Sequence, residues 1–212
     1  MHAEHTHDLQ RHAMIDQLVA QGIRDPRVLE AMERVPRHEF VPRGVEHLAY
    51  ADRAVPIGSE QTISQPFIVA LMTEALQLTG AEHVLEIGTG SGYQAAVLAE
   101  LAHDVVSIER HGELSERAQA ALSAGGYTNV KLIVGDGTQG YAAEAPYDRI
   151  LVAAASSHVP PALAEQLAEG GILVIPLGDS ESQVLEALHK RGGKLHSQQL
   201  SGCRFVPLVF SP

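Results

Sequence analysis

Three glycines in five residues, Gly88, Gly90 and Gly92, stand between an apolar run, Val84 to Ile87, and an alanine-rich stretch that opens at Tyr93. Glycine accepts positive φ, so this spacing predicts a sharp strand-to-helix turn that brings main-chain N–H groups toward a ligand at the helix's positive end. A dinucleotide site would carry its third glycine at 93, in the order G-x-G-x-x-G. Tyr93 stands there instead, and the pattern reads E-x-G-x-G-x-G from Glu86. A pyrophosphate cradle is therefore disfavoured, and a carboxylate beside the turn suits a cationic ligand better than a polyphosphate. The plain alternative is an ordinary strand–turn–helix corner, against which the density of glycine speaks.

Two more acids fall where such a site needs acceptors. Glu109 ends the next apolar run, Val105 to Glu109, where a carboxylate offers paired acceptors to two ribose hydroxyls. A solvated charge at a strand end is the other reading. Asp136 lies in Gly135-Asp136-Gly137, after the run Val130 to Val134; glycine there lets a flat base approach while Asp136 accepts from an exocyclic amine. Upstream, Ser64 in Gln61-Thr62-Ile63-Ser64-Gln65-Pro66 has a hydroxyl that either orients a substrate by hydrogen bond or caps the helix opening at Pro66, and the two roles are compatible.

The whole chain bounds what these residues can do. Its 212 residues suit a single α/β domain with an elaboration. Apolar residues make up 45% but aromatic ones only 4%, so the core must rest on Leu, Val, Ile and Ala. A formal charge of -11 leaves no basic stripe for phosphates, which argues against nucleic acid as a partner. The single cysteine, Cys203, excludes an internal disulfide and a cysteine-based zinc site, and reads as a buried apolar side chain. No apolar run is long enough for a membrane helix, and the amino terminus lacks a signal-peptide pattern. These features suggest a cytoplasmic protein. His2, His5, His7 and His12 raise the idea of a metal-binding tail; free histidines on a frayed polar terminus, residues 1–8, are the preferred reading, and no metal is expected.

The elements that must position these groups can be read in order. Helical spacing pairs Met14 with Leu18 and Ile15 with Val19 within Leu9 to Val19, and Asp25-Pro26 caps a second helix that ends at Pro36. Residues 37–66 look irregular, with three prolines and few periodic positions; a loop this long suggests a functional lid. A helix from Pro66 to Gly80 precedes the glycine-turn strand. Strands and helices then alternate: helix 93–102, strand 105–109, helix 113–124, strand 130–134, strand 149–153, helix 160–168 ending at Gly170-Gly171, and strand 172–177. Three short strands follow, 183–189, 194–200 and 204–210, as a meander. The expected fold is a doubly wound, Rossmann-like α/β domain, mostly parallel, with helices on both faces and antiparallel carboxyl-terminal strands. Its parts are 9–80, helices and substrate loop; 81–178, ligand-binding core; and 179–212, carboxyl-terminal strands.

Segments from about Leu18 to Phe210 resemble, in order, the protein-L-isoaspartate O-methyltransferase family: DPRVLEAMERVPRHEFVP, YADRAVPIG, QTISQP, VLEIGTGSGYQAAVLA, VGDGTQGY, APYDRILVAAA, LAEGGILVIPLG and RFVPL. E-x-G-x-G-x-G alone resembles motif I of S-adenosylmethionine-dependent methyltransferases in general. The TISQP and FVPL segments narrow it. The resemblance implies methyl transfer from S-adenosylmethionine, leaving S-adenosylhomocysteine, to the free α-carboxyl of L-isoaspartyl residues in damaged proteins and peptides. The ester then collapses to a succinimide whose hydrolysis restores some normal linkage.

It also implies roles. Ser64 would be the active-site serine, Thr62 and Ile63 would lie beside cofactor and substrate, and Glu86, Gly88, Thr89, Gly90, Glu109, Asp136 and Gly137 would hold the cofactor. Val206 and Pro207 would line the isoaspartyl pocket, or form only a buried edge strand. Gln65 and Phe67 depart from the animal pattern, which has alanine and histidine there. Such an enzyme needs no general base, because an α-carboxyl with a pKa near ~3.5 is already ionised at neutral pH. Isoaspartyl proteins are then the partners, and a monomer is the simplest state. The rivals are a small-molecule methyltransferase, a non-catalytic binding module of the same fold and a nicotinamide-dependent oxidoreductase.

Overall fold

The computed structural model describes residues 2–179 and 181–210. Helix α1 spans His2–Gln21, so it begins well before the first apolar pair, and residues 2–8 are helical rather than a loose tail. The polar first turns carry no periodic signal, yet the His7 ring lies tilted against that of His38 with centroids 4.0 Å apart and His12 Nδ1 pairs with Glu33 Oε1. His7 and His12 are thus docked rather than free, while the side chains of His2 and His5 lie outside what is described. Met14 and Leu18 are buried as the spacing predicts, and Val19 is exposed. Helix α2, Pro26–Arg34, is capped as expected: the Asp25 side chain accepts from the Arg27 N–H at 3.0 Å.

The stretch 37–66 is more ordered than its composition suggests. Two 3-10 turns, Arg37–Phe40 and Glu46–Leu48, lead to an antiparallel hairpin of β1 (Val55–Gly58) and β2 (Gln61–Ile63). Its tip residues Ser59 and Glu60 take positive φ of 50° and 57°. Helix α3, Pro66–Ala75, follows directly.

The core alternates as anticipated: β3 (His83–Ile87), α4 (Tyr93–Ala99), β4 (Asp104–Glu109), α5 (Gly112–Ala124), β5 (Val130–Val134), β6 (Tyr147–Val152), α6 (Pro161–Gln166) and β7 (Leu167–Gly178), then β8 (Gln183–Arg191) and β9 (Lys194–Cys203). The sheet order is β5-β4-β3-β6-β7-β8-β9, parallel through β7 and antiparallel beyond it. Alternation along β3 sends Leu85 and Ile87 into one apolar cluster, with Leu163 of α6, and Val84 into the other, with Met72 of α3 and Leu98 of α4. Both faces are therefore covered, as a parallel sheet requires. The chain order reverses between β3 and β6, and in open α/β sheets that switch point is where ligands bind, outside the carboxyl ends of the strands.

Two carboxyl-terminal expectations fail. Gly170-Gly171 do not end a helix: α6 stops at Gln166, and the glycines lie inside β7, where a register shift opposes Leu167 to Tyr147 and Ile172 to Arg149. A Cβ on Gly171 would stand 2.8 Å from the Ala168 carbonyl and 2.9 Å from that of Asp148, so crowding at this irregularity explains the glycine. Residues 204–210 form no third strand. They make one isolated bridge, Pro207 to Ala155, and the Gln183 side chain of β8 holds the Phe205 backbone, whose N–H donates to Gln183 Oε1 at 2.7 Å.

Candidate functional site

The carboxyl ends of β3, β4 and β5 open into a cleft of about 980 Å³, walled on the opposite side by β2, the start of α3 and residues 201–209. The glycine turn leaves β3 as the sequence predicts, with φ of 93°, 55° and 87° at Gly88, Gly90 and Gly92. Gly92 also lets α4 approach α5, since a Cβ there would come within 3.1 Å of Ala118 Cβ. The expected cradle of free N–H groups does not form. The Gly88 N–H donates to the Ile108 carbonyl at 2.8 Å, that of Gly90 to Glu109 Oε2 at 2.9 Å, and that of Gly92 to the Thr89 carbonyl at 2.9 Å. The three glycine donors are taken, two by β4 and one by the turn itself, and are not offered to a phosphate.

Glu86 lies beneath this turn and does not line the cleft. Its Oε2 accepts from the Ser107 hydroxyl, whose oxygen is 2.5 Å from Thr89 Oγ1, and Oε1 makes no hydrogen bond among the described residues. Burial, with the nearby Glu109 adding to it, pushes the Glu86 carboxyl up to about 8 despite the Ser107 hydrogen bond. The carboxylate that seemed poised for a cationic ligand is thus a protonated support of the turn at neutral pH. In the sequence, strand register could have signalled this: Glu86 pairs with Ser107, one strand over, rather than with an open edge.

Glu109 does reach the cleft wall. Its oxygens accept from Gly90 N–H at 2.9 Å and His111 N–H at 3.0 Å, so it bridges the ends of β3 and β4 and keeps a second lone pair on each oxygen. Asp136 Oδ1 accepts from Thr138 N–H at 2.9 Å and Thr138 Oγ1 at 2.8 Å, capping a short 3-10 turn. Gly137 is required by close approach: a Cβ there would sit 2.3 Å from Ile87 Cγ2. Gly88, Thr89 and Gly90 line the same wall.

Thr62, Ile63 and Ser64 face this wall from across the cleft. Ser64 does not cap α3. Gln65 occupies the cap position without a side-chain bond, and Asp52 Oδ1, from far upstream, accepts the Phe67 N–H at 3.0 Å. The Ser64 hydroxyl makes no hydrogen bond within the described residues. Val206 and Pro207 complete this side, but the Val206 carbonyl is already taken by the Ala155 N–H at 2.8 Å. Cys203 is half-buried on the same wall rather than in the core, and burial pushes its thiol up to about 11. The sequence did not single out Arg110, His111 or Val134, which also border the cleft; Val134, 59% exposed, presents an apolar surface at the strand end. No three His, Cys, Asp or Glu side chains converge to hold a metal among the described residues, and none of the described helices is long and apolar enough to cross a membrane.

The sequence pattern describing the Protein-L-isoaspartate(D-aspartate) O-methyltransferase (PCMT) family matches residues 9–211. The chain is 54% identical over 201 residues to a protein-L-isoaspartate O-methyltransferase from Methanoculleus marisnigri, covering 94% of this chain and 91% of that one. It is also 54% identical to one from Roseiflexus sp., with 94% and 92% covered. Among solved structures, a protein-L-isoaspartate O-methyltransferase superposes with a TM-score of 0.85 at 30% identity, over 93% of this chain and 65% of that one. A beta-aspartate methyltransferase (PCMT) from Plasmodium falciparum, in complex with S-adenosyl-L-homocysteine, superposes with a TM-score of 0.83 at 26% identity, over 94% and 98%.

Proposed function

Since the chain belongs to the protein-L-isoaspartate(D-aspartate) O-methyltransferase family, we propose that its cleft methylates the α-carboxyl of L-isoaspartyl residues in proteins and peptides with S-adenosylmethionine. The observation that carries this reading is the pairing across one cleft of two acid-bearing strand ends with a serine hydroxyl that makes no hydrogen bond among the described residues.

The residues present fit the cofactor. Glu109 has lone pairs left for two ribose hydroxyls, Asp136 stands beside a glycine too crowded for any side chain, and Ile108 and Val134 offer apolar surface to a flat base. Gly88, Thr89 and Gly90 would flank its amino acid portion, with Glu86 acting from below as a support. When bound, S-adenosylmethionine supplies an electrophilic methyl on a sulfonium.

The chain's own work is positioning. Ser64 Oγ–H donates to the substrate carboxylate and fixes which oxygen faces the methyl, which is worth most when the reacting atoms are held in line. Ile63, Phe67, Val206 and Pro207 keep water from the carboxylate, whose solvation would blunt attack. No side chain needs to take a proton, since the nucleophile is already ionised. The β1–β2 hairpin is the part of 37–66 placed to cover the ligands; equal protease sensitivity of this stretch with and without cofactor plus peptide would count against that role. A reducing compartment suits the lone cysteine.

The test is transfer of label from S-adenosylmethionine to an L-isoaspartyl peptide beside the same peptide with normal aspartate. Base-labile label on the isoaspartyl peptide alone is the expected result. Cofactor binding without transfer to either peptide would overturn it.

A further inference from the structure

Arg37 is fully buried, yet no carboxylate forms a salt bridge with it among the described residues. Its Nε donates to the Ala49 carbonyl at 2.6 Å and its Nη2 to the Ser64 carbonyl at 2.7 Å, its guanidinium carbon lies 4.6 Å from the centre of the Tyr93 ring, and Nη1 makes no hydrogen bond among the described residues. Burying a cation with incomplete pairing is costly. Even held down to about 10 by burial, the guanidinium stays charged at neutral pH. What the arginine supplies is geometric: a planar fork that joins two carbonyls and a ring face at once, which an ammonium cannot reproduce.

The other end of the same short segment is held independently. Asp52 Oδ1 accepts the Phe67 N–H at 3.0 Å, and its Oδ2 accepts Gln21 Nε2 at 2.7 Å and Gln65 Nε2 at 3.4 Å. Between the anchored Ser64 carbonyl and Phe67 N–H lie only Gln65 and Pro66, after β2 has ended and as α3 begins. Neither Arg37 nor Asp52 borders the cleft. We propose that Arg37 and Asp52 are positioning residues for the methyl-transfer step: from behind the wall they clamp the Ser64 carbonyl and the Phe67 N–H, and so fix the direction in which the Ser64 hydroxyl enters the cleft. The proposal rests on the reading of Ser64 as the group that orients the substrate carboxylate.

Arg37→Lys, Asp52→Ala and Asp52→Asn are assayed alone and in a Ser64→Ala background, with affinity for S-adenosylhomocysteine measured on each. Misplacing a positioned group by about 1 Å costs up to about 100-fold; the expected fall in kcat is ~10–100-fold for Arg37→Lys and ~10-fold for Asp52→Ala, with ligand affinity within about twofold. Asp52→Asn keeps an acceptor for the Phe67 N–H and restores most of the rate. In the Ser64→Ala background the same changes cost less than about twofold, because coupled residues are not additive. Full multiplicative losses in that background, or ligand affinity falling in step with kcat, overturn the clamp while leaving Ser64 its role. A Ser64→Ala variant with unimpaired rate overturns the role of Ser64 and the clamp with it. If Arg37→Lys does not fold, the two Asp52 variants carry the same comparison.

Discussion

One wall of the cleft grows directly out of the sheet; the other is assembled from segments remote in the chain. On the first, Gly88, Gly90 and Asp136 lie one to three residues past the end of a parallel strand and Glu109 is the last residue of one, and backbone N–H groups of Gly90, His111 and Thr138 hold the two carboxylates. On the second, Thr62 to Ser64 come from a hairpin end, Val206 and Pro207 from a segment with one isolated bridge, and two distant side chains hold the serine's segment in place. The difference teaches how the labour divides. A wall built on strand ends is rigid and can be shared by many ligand chemistries, whereas the opposing wall is where a particular acceptor is selected.

Ser64→Ala should break the comparison most sharply. Losing one donor aimed at the reacting group lowers kcat/KM for an isoaspartyl peptide by about 100-fold, while titration calorimetry finds the affinity for S-adenosylhomocysteine unchanged. Gly137→Ala attacks the other wall. The new Cβ, 2.3 Å from Ile87 Cγ2, forces the strand ends apart at about 1–3 kcal/mol of stability, read by denaturant unfolding, and weakens S-adenosylhomocysteine binding about tenfold, as 1.4 kcal/mol would.

Glu86→Gln sharpens the account of how the first wall is supported. Glu86 titrates near its ordinary value when unfolded but at about 8 when folded. Between those values the unfolded chain releases a proton that the folded chain keeps, so stability falls as pH rises, by about 1.4 kcal/mol per pH unit. Below the unfolded value both states hold the proton and the effect vanishes. Glutamine removes this dependence: the ligand-free variant gains on the parent in thermal unfolding as pH is raised from 5 to 8, and matching pH profiles would contradict the buried, protonated assignment. Asp25→Ala, remote from both walls, removes the cap of α2 and costs about 1 kcal/mol with methyl transfer unchanged.

The first wall was legible in the sequence because parallel strands announce themselves as apolar runs and their ends are fixed points from which Glu109 and Asp136 could be placed. What escaped was the direction of groups near those ends. Glu86 precedes the turn in sequence but points under it, and the three glycine N–H groups turn back onto the protein. The second wall was legible mainly by family likeness. The β1–β2 hairpin contains Pro56 and Gly58 and is too short for an alternating pattern to show. Phe205 to Leu208 has strand-forming residues, yet it makes one isolated bridge instead of joining the sheet, a choice made by tertiary contacts. Likewise the expected Ser64 cap lost to Asp52, which reaches the start of α3 from an earlier loop.

The division between the walls is tested most directly by a crystal structure of the protein with S-adenosylhomocysteine and an L-isoaspartyl peptide. The account predicts Ser64 Oγ within ~2.5–3.0 Å of the isoaspartyl α-carboxylate and Glu109 on the ribose hydroxyls. A carboxylate held elsewhere, with the Ser64 hydroxyl still unpartnered, would contradict it.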